Sequence, residues 1–169
     1  IMTLKYKNVT IIIISFKSNK NVINLLSLIK DYINIIIVEN SKDLSLKEYF
    51  KKNKNITIIS RNNIGFGPAI NDAVKLINTK YFLVLNPDLS RINEKFIKSF
   101  LDISKKIKDN FGVMGPRYNN LENDKSLVQS KKKFDLSEIE CVSGAAMFFL
   151  KKNFDEVNGF DNNIFLYLK

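Results

Sequence analysis

Asp88 closes the run Asn86-Pro87-Asp88, which follows directly on the apolar pentad Tyr81-Phe82-Leu83-Val84-Leu85. An ionised Asp offers the hard oxygen donors that Mg²⁺ and Mn²⁺ favour, and such an ion usually completes its shell with water and phosphate oxygens. In open α/β sheets ligands gather at the carboxyl ends of strands, where a residue following a buried strand must lie. Pro87 steers Asn86 away from the αR region and keeps the turn open. Asn, Pro and Asp are also ordinary turn formers, so the motif taken alone reads first as the end of a strand.

Three further loops hold polar residues after apolar runs: Ser15-Phe16-Lys17-Ser18, Glu39-Asn40-Ser41, and Arg61-Asn62-Asn63-Ile64-Gly65-Phe66-Gly67. The last leads into a helical pattern whose first N–H groups could favour an anion. Each loop alone carries little weight, since strands must end in something polar. Together with Asn86 and Asp88 they would line one rim of one parallel sheet, where a nucleotide could be held.

Absences narrow the chemistry. The chain has no histidine, which removes imidazole acid–base catalysis, His-based triads and His metal sites. Any general base must be a carboxylate, a lysine, a tyrosine or the single cysteine. Cys141 cannot form an internal disulfide and, next to Val142, reads as a small core residue. The net charge of +10, from 27 Lys and Arg against 17 Asp and Glu, suits an anionic partner such as a nucleotide, a nucleic acid or an acidic membrane face. Nucleic acid is set aside, because no stacked-aromatic motif, helix-turn-helix pattern or zinc signature accompanies the charge. No apolar stretch reaches membrane-spanning length and no signal-peptide pattern opens the chain, so a cytoplasmic protein is expected.

The elements that must position these residues alternate between two periods, as repeated βα units do. Val9 to Ser15 reads as a buried strand, and Val22, Leu25, Leu26 and Ile29 then fall on one helical face. Ile35 to Val38 is a second strand, Leu44 to Phe50 a short helix, and Ile56 to Ile59 a third strand. A helix opening at Gly67-Pro68, with Pro at its first position, carries Ile70, Ala73, Val74 and Ile77. After the strand Tyr81 to Leu85, a helix from about Asn93 carries Phe96, Phe100, Ile103 and Ile107, and Phe111 to Met114 returns as a strand. From Arg117 to Glu140 the periodicity fades around Lys131-Lys132-Lys133, which fits either a substrate-contacting loop or a solvated excursion. Cys141 to Leu150 reads as a last strand in which Gly144 allows close approach of a ligand or backbone. With 45% hydrophobic residues the 169-residue chain can bury one core.

Several segments, in order along the chain, resemble the family 2 glycosyltransferases of GT-A fold, and within them the bacterial rhamnosyltransferase-like members. Asn63-Ile64-Gly65-Phe66-Gly67-Pro68-Ala69-Ile70-Asn71 is similar to the family's N-x-G-F-(A/G)-x-A-x-N segment, and Leu85-Asn86-Pro87-Asp88 to its L-N-P-D version of the DxD motif. Ile36 to Ser41 resembles its second strand, and Val128-Gln129-Ser130 its donor-side loop. Ser143-Gly144-Ala145-Ala146-Met147, then Gly159-Phe160-Asp161 and Phe165-Leu166-Tyr167, resemble the strand and loop before its catalytic acid pair.

The resemblance implies an α/β domain over residues 1–169, Rossmann-like, with a mostly parallel sheet flanked by helices. It implies inverting transfer of a hexose or deoxyhexose from a UDP- or dTDP-linked sugar to a saccharide or lipid-linked acceptor in surface-glycan synthesis. Glu39 would then accept hydrogen bonds from the base, Asn63 and Asn71 would line the donor pocket, and Asn86 would meet ribose or sugar hydroxyls. Asp88 would hold Mg²⁺ or Mn²⁺ against the diphosphate. Ser15, Phe16, Arg61, Gly67, Gln129, Ser143 and Gly144 complete the nucleotide-sugar set. The setting would be cytoplasmic, with peripheral contact at the anionic inner face of the plasma membrane.

Three departures from the family pattern stand out. Glu39 replaces the usual Asp, Asn86 replaces the first acid of the DxD form, and the acidic segment that carries the family's base would follow Lys169. The catalytic base is therefore unassigned and a C-terminally truncated domain is expected. A non-catalytic nucleotide-sugar binding module, or an inactive fragment, is the alternative.

Overall fold

The computed structural model describes residues 5–90, 92–116, 136 and 138–166. In chain order the elements are β1 (Val9–Ser15), α1 (Asn19–Leu26), β2 (Asn34–Glu39), α2 (Ser45–Tyr49), β3 (Ile56–Ser60), α3 (Phe66–Val74), β4 (Tyr81–Leu85), α4 (Glu94–Lys106), β5 (Val113–Met114), β6 (Ala146–Leu150) and α5 (Lys151–Glu156). They build one six-stranded sheet of order β3-β2-β1-β4-β6-β5. The first four strands pair in parallel, and β6 runs antiparallel to both β4 and β5.

The strands are apolar on both sides because helices cover both sides. Ile11, Ile13, Ile35, Ile37, Leu83, Leu85 and Phe148 join the core beneath α1, α2 and α4. Their alternating neighbours Ile12, Ile14, Ile36, Val38, Phe82, Val84 and Phe149 join the second core beneath α3 and α5. The period of two in side-chain direction thus sorts one continuous apolar run into two cores.

Helix α4 begins at Asn93, whose side chain accepts the Phe96 N–H at 3.1 Å as an N-cap. Its buried line is Ile97, Phe100 and Ser104, with Phe96, Ile103 and Ile107 packed beside it. A carboxylate near each of its ends is tied to the amino edge of the sheet. Glu94 accepts from Tyr6 Oη at 3.0 Å and pairs with Lys5. Asp109 accepts from Tyr81 Oη at 2.6 Å and from Lys80 Nζ at 2.5 Å. Two Lys-Tyr dipeptides, before β1 and at the start of β4, thus clamp α4 in the same way.

Some expectations need correction. The last strand starts at Ala146, not Cys141, and Gly144 lies in the turn that precedes it. Val142 leaves the sheet to pack where a Cβ on Gly115 would stand, and Cys141 is exposed instead of buried in the core. Helix α3 opens at Phe66 with Gly65 as its N-cap, so Pro68 is its third residue. That position is tolerated because the first N–H groups of a helix have no intrahelical partner to lose. The strand at Phe111–Met114 shrinks to Val113–Met114, and α1 stops at Leu26, although Ile29 is still fully buried in the turn beyond. Helix α5, which starts on the residue after β6, carried no periodic signal long enough to read. Gln129, the Lys131-Lys132-Lys133 run and residues 117–135 lie outside the described residues.

Candidate functional site

The parallel strands end level with one another. Ser15 pairs with Glu39 across β1 and β2, and Glu39 pairs with Ser60 across β2 and β3. Ile13 pairs with Leu85, so Asn86 leaves β4 close to the same line. Because β6 is antiparallel, its start lies at this edge as well: Leu85 pairs with Ala146, and the Asn86 N–H donates to the Ala145 carbonyl at 2.9 Å. The Ser143 hydroxyl accepts the Ala145 N–H at 3.3 Å and shapes the turn that brings Ser143 and Gly144 there. One carboxyl rim therefore gathers Ser15, Phe16, Glu39, Arg61, Asn86, Asp88, Ser143 and Gly144 from chain positions far apart.

Asp88 is exposed and makes no hydrogen bond or ion pair among the described residues. It lines an open cavity of about 350 Å³ together with Asn21, Asn24 and Leu25 of α1, Leu28 of the turn beyond it, and Ser90. No group of three or more His, Cys, Asp or Glu among the described residues could cage a metal ion. A lone free carboxylate beside amide side chains fits a different mode, in which a Mg²⁺ or Mn²⁺ ion brings water and phosphate oxygens for most of its shell.

Glu39 is fully buried, and its carboxylate is already occupied. It accepts the Ser41 N–H at 2.9 Å, the Ser41 hydroxyl at 2.6 Å and the Asp43 N–H at 2.8 Å. These bonds fold the loop after β2 back over the strand end. Asp43, which the sequence reading missed, then accepts from Asn19 Nδ2 at 2.6 Å and from the Ser45 N–H at 2.7 Å. The Ser45 hydroxyl and N–H, helped by Asn19, hold the Asp43 carboxyl below its usual range against the opposing push of burial. The chain's own signal for this residue is the polar run Asn40-Ser41-Lys42-Asp43 before a short helix, since Asp there bonds the backbone two residues on.

Ser15 is fully buried, 3.0 Å from the Ser18 hydroxyl. Phe16 is half exposed beside it, with Lys17 Nζ 5.5 Å from its ring centre. Lys17 holds φ 53°, a left-handed conformation that turns the chain sharply from β1 into α1. Arg61 pairs with Asp72 on α3, and its buried Nε has no partner among the described residues. Asn63 is exposed and accepts the Gly65 N–H at 3.1 Å, which braces the loop before α3.

Two expectations shift on the α3 side. The Phe66 N–H, the first of α3, donates to the Phe165 carbonyl at 3.0 Å and so is not one of the helix's open N–H groups. Asn71 is engaged away from the rim: its Nδ2 donates to the Phe160 carbonyl at 2.7 Å and its Oδ1 accepts the Phe160 N–H at 2.9 Å. Gly67 is packed against the same residue, since a Cβ there would come within 2.9 Å of Phe160 Cβ. Asn40, named in the sequence only as part of its loop, is 2% exposed and donates to the Gly65 carbonyl at 3.1 Å, while its Oδ1 has no partner among the described residues.

Residues 10–157 match the family model described as glycosyl transferase family 2. A curated relative, the low-salt glycan biosynthesis hexosyltransferase Agl10 of Haloferax volcanii, is 24% identical over 181 residues, which cover 95% of this chain and 58% of the relative. Among solved structures, TarS of S. aureus in complex with UDP-GlcNAc superposes with a TM-score of 0.62 at 16% identity, over 89% of this chain and 47% of that one. The mannosyltransferase PcManGT of Pyrobaculum calidifontis, in complex with GDP-Man and Mn²⁺, gives 0.67 at 13% identity, over 93% and 48%. At such identities these two structures speak for the fold, a GT-A α/β architecture, and the chain spans about half of their length.

Proposed function

The chain belongs to glycosyl transferase family 2, and we propose that it is the donor-binding part of an inverting, metal-dependent transferase that moves a hexose or deoxyhexose from a UDP- or dTDP-linked sugar. The acceptor is a saccharide or lipid-linked glycan in surface-glycan synthesis, as in the rhamnosyltransferase-like branch. One observation carries the reading: polar side chains from β1, β2, β3, β4 and the start of β6 meet on a single rim, and one carboxylate there, Asp88, is free of partners among the described residues.

In this reading Asp88 holds a divalent ion against the diphosphate, beside Asn86. When bound, the metal supplies Lewis-acid neutralisation of the charge that builds on the departing nucleoside diphosphate. Phe16 offers a half-exposed aromatic face to the base, while Glu39 and Asp43 shape the loop that meets it. Ser15, Asn63, Ser143 and Gly144 line the donor's polar edge. The mannosyltransferase complex with Mn²⁺ and the TarS complex with UDP-GlcNAc support the class of ligand.

The test is calorimetric titration with UDP, dTDP and GDP, each with and without Mn²⁺. Binding of a pyrimidine diphosphate strengthened by metal, and abolished by Asp88→Ala with the fold intact, is the expected result. Equal affinity in that variant would reduce Asp88 to a turn residue.

A second reading, a nucleotide-sugar binding module without turnover, is favoured by one feature. The only carboxylate of the Gly159–Leu166 segment, Asp161, is held within its own turn, its Oδ1 accepting from Asn163 N–H and Nδ2 at 2.8 and 3.0 Å. Metal-dependent binding without any release of diphosphate from a donor sugar would select it.

Contact with an anionic membrane face is part of the same proposal. A groove of about 720 Å³ at the amino edge is lined by Lys5, Lys7, Lys80, Lys98, Lys105 and Lys108, together with fewer acids. No helix among the described residues is long and apolar enough to cross a membrane. Flotation with acidic vesicles should show salt-sensitive binding, and its absence removes this part.

A further inference from the structure

The loop before α3, α3 itself and the segment Gly159–Leu166 interlock at three places. A Cβ on Gly65 would strike the Phe165 carbonyl, one on Gly67 would meet Phe160, and one on Gly159 would stand 2.5 Å from Asn71 Oδ1. The segment runs opposite to α3: Gly159 and Phe160 lie at Asn71, and Phe165 lies at Gly65, beside the rim. Asn71 is the fastener. Its amide closes a two-point bond on the Phe160 backbone and adds a third to Asn162 Oδ1 at 2.9 Å. Phe160 itself packs edge-on against Phe154 and Phe149, which anchors the lower end of the segment in the second core.

The upper end arrives at the rim with its side chains uncovered. Ile164, Phe165 and Leu166 are all about half exposed, and they form an apolar lip over the α3 face, next to Asn40 and Gly65. Asp88 opens into the cavity against α1, on the other face of the sheet. The metal-diphosphate position and the lip therefore stand on opposite sides of one edge, with the strand ends between them.

We infer that Asn71 is a positioning residue, which sets the lip Ile164–Leu166 at the rim for turnover of the donor instead of contacting the donor itself. The inference rests on the transferase reading above for its second half only; the fastening of the segment is independent of it. An amide at this position is well chosen, because it both donates and accepts, matching the N–H and C=O of one residue. Asp keeps the acceptor and loses both donated bonds, and Ala loses all three.

The experiment uses the full-length protein with Asn71→Ala, Asn71→Asp and Gly159→Ala. Hydrogen exchange of the amides of 159–166 should quicken at least tenfold in Asn71→Ala and Gly159→Ala, and by less in Asn71→Asp. Affinity for UDP with Mn²⁺ should stay within twofold. Release of diphosphate from a panel of UDP- and dTDP-hexoses should show the donor KM held and kcat reduced tenfold or more, with partial recovery in Asn71→Asp. A tenfold loss of UDP affinity with exchange unchanged would overturn the inference and return Asn71 to the donor pocket. If the unaltered protein bound no nucleotide, the transferase reading and the lip's role would fall together, while the exchange data would still decide whether Asn71 fastens the segment.

Discussion

The two edges of this sheet treat their carboxylates in opposite ways. At the amino edge Glu94 is shared by Lys5 and Tyr6, and Asp109 by Lys80 and Tyr81, so each charge is met by a cation and a phenol. At the carboxyl rim Glu39 is filled by the loop it folds, and Asp88 has no partner at all among the described residues. The carboxylates of the two clamps and of the β2 loop come already answered, whereas Asp88 is left unanswered, among the described residues, where four parallel strand ends and an antiparallel start converge. The contrast separates carboxylates that hold the molecule together from one that, among the described residues, holds nothing.

Substitutions can break that contrast. The largest effect should come from Phe148→Ala near the amino-edge clamps. Phe148 is fully buried and stacks on Tyr81 and Phe100 with ring centres 5.2 and 5.1 Å away. Its loss should cost about 3–5 kcal/mol in urea unfolding. Next, Glu39→Gln should cost about 1–3 kcal/mol, because a charged acceptor of two N–H groups and a hydroxyl is replaced by a neutral one. If stability held while preference between UDP and GDP changed, the Glu39 carboxylate would belong to the ligand and not to the loop.

Smaller still is the pH dependence of the clamps. Lys5 first, and then Tyr6, hold the Glu94 carboxyl below its usual range against burial; at Asp109 burial pushes upward but Lys80 and Tyr81 outweigh it. A carboxyl whose folded pKa is depressed adds stability above its unfolded pKa, about 4, and loses it as pH falls through the folded value. Thermal midpoints should therefore be flat near neutrality and fall below about pH 4, and the pair Glu94→Gln, Asp109→Asn should flatten that fall. Burial, and then Glu94, push the Tyr6 hydroxyl up to about 12, so an alkaline loss should begin near pH 10 and run on to about pH 12. The smallest change belongs to the rim: Asp88→Ala should leave the midpoint within about 1 °C, as expected for a surface side chain away from packing, caps and pairs.

Much of the architecture was legible because each parallel strand is an apolar run with a polar end. The bounds of β1 and β4 follow from Val9–Ser15 and Tyr81–Leu85 alone. The rim was legible for the same reason, since periodicity and connection rules fix which strand ends align. What side chains do once there was not. Nothing local shows that Ser41 and Asp43 turn back onto Glu39. Nor could any local window show that Asn71 bonds the backbone of Phe160, 89 positions away. Cys141 and Val142 continued an apolar run, but the partners available to a sixth strand begin only opposite Leu85. The start of α3 was displaced by one residue because its true cap involves Phe165, which no window around Pro68 contains.

The antiparallel β6 has a consequence for how the chain comes into being. Strands β1 to β4 pair only with one another in the N-terminal half, whereas the far flank of β4 stays open until Ala146–Leu150 has been synthesised. Every residue of β4 is buried in the finished molecule, so a nascent chain on the ribosome carries a bare apolar flank through much of its elongation. Arrested translation before residue 146 would leave an adhesive half-sheet, and holdase chaperones should bind such stalled chains more tightly than ones released after β6.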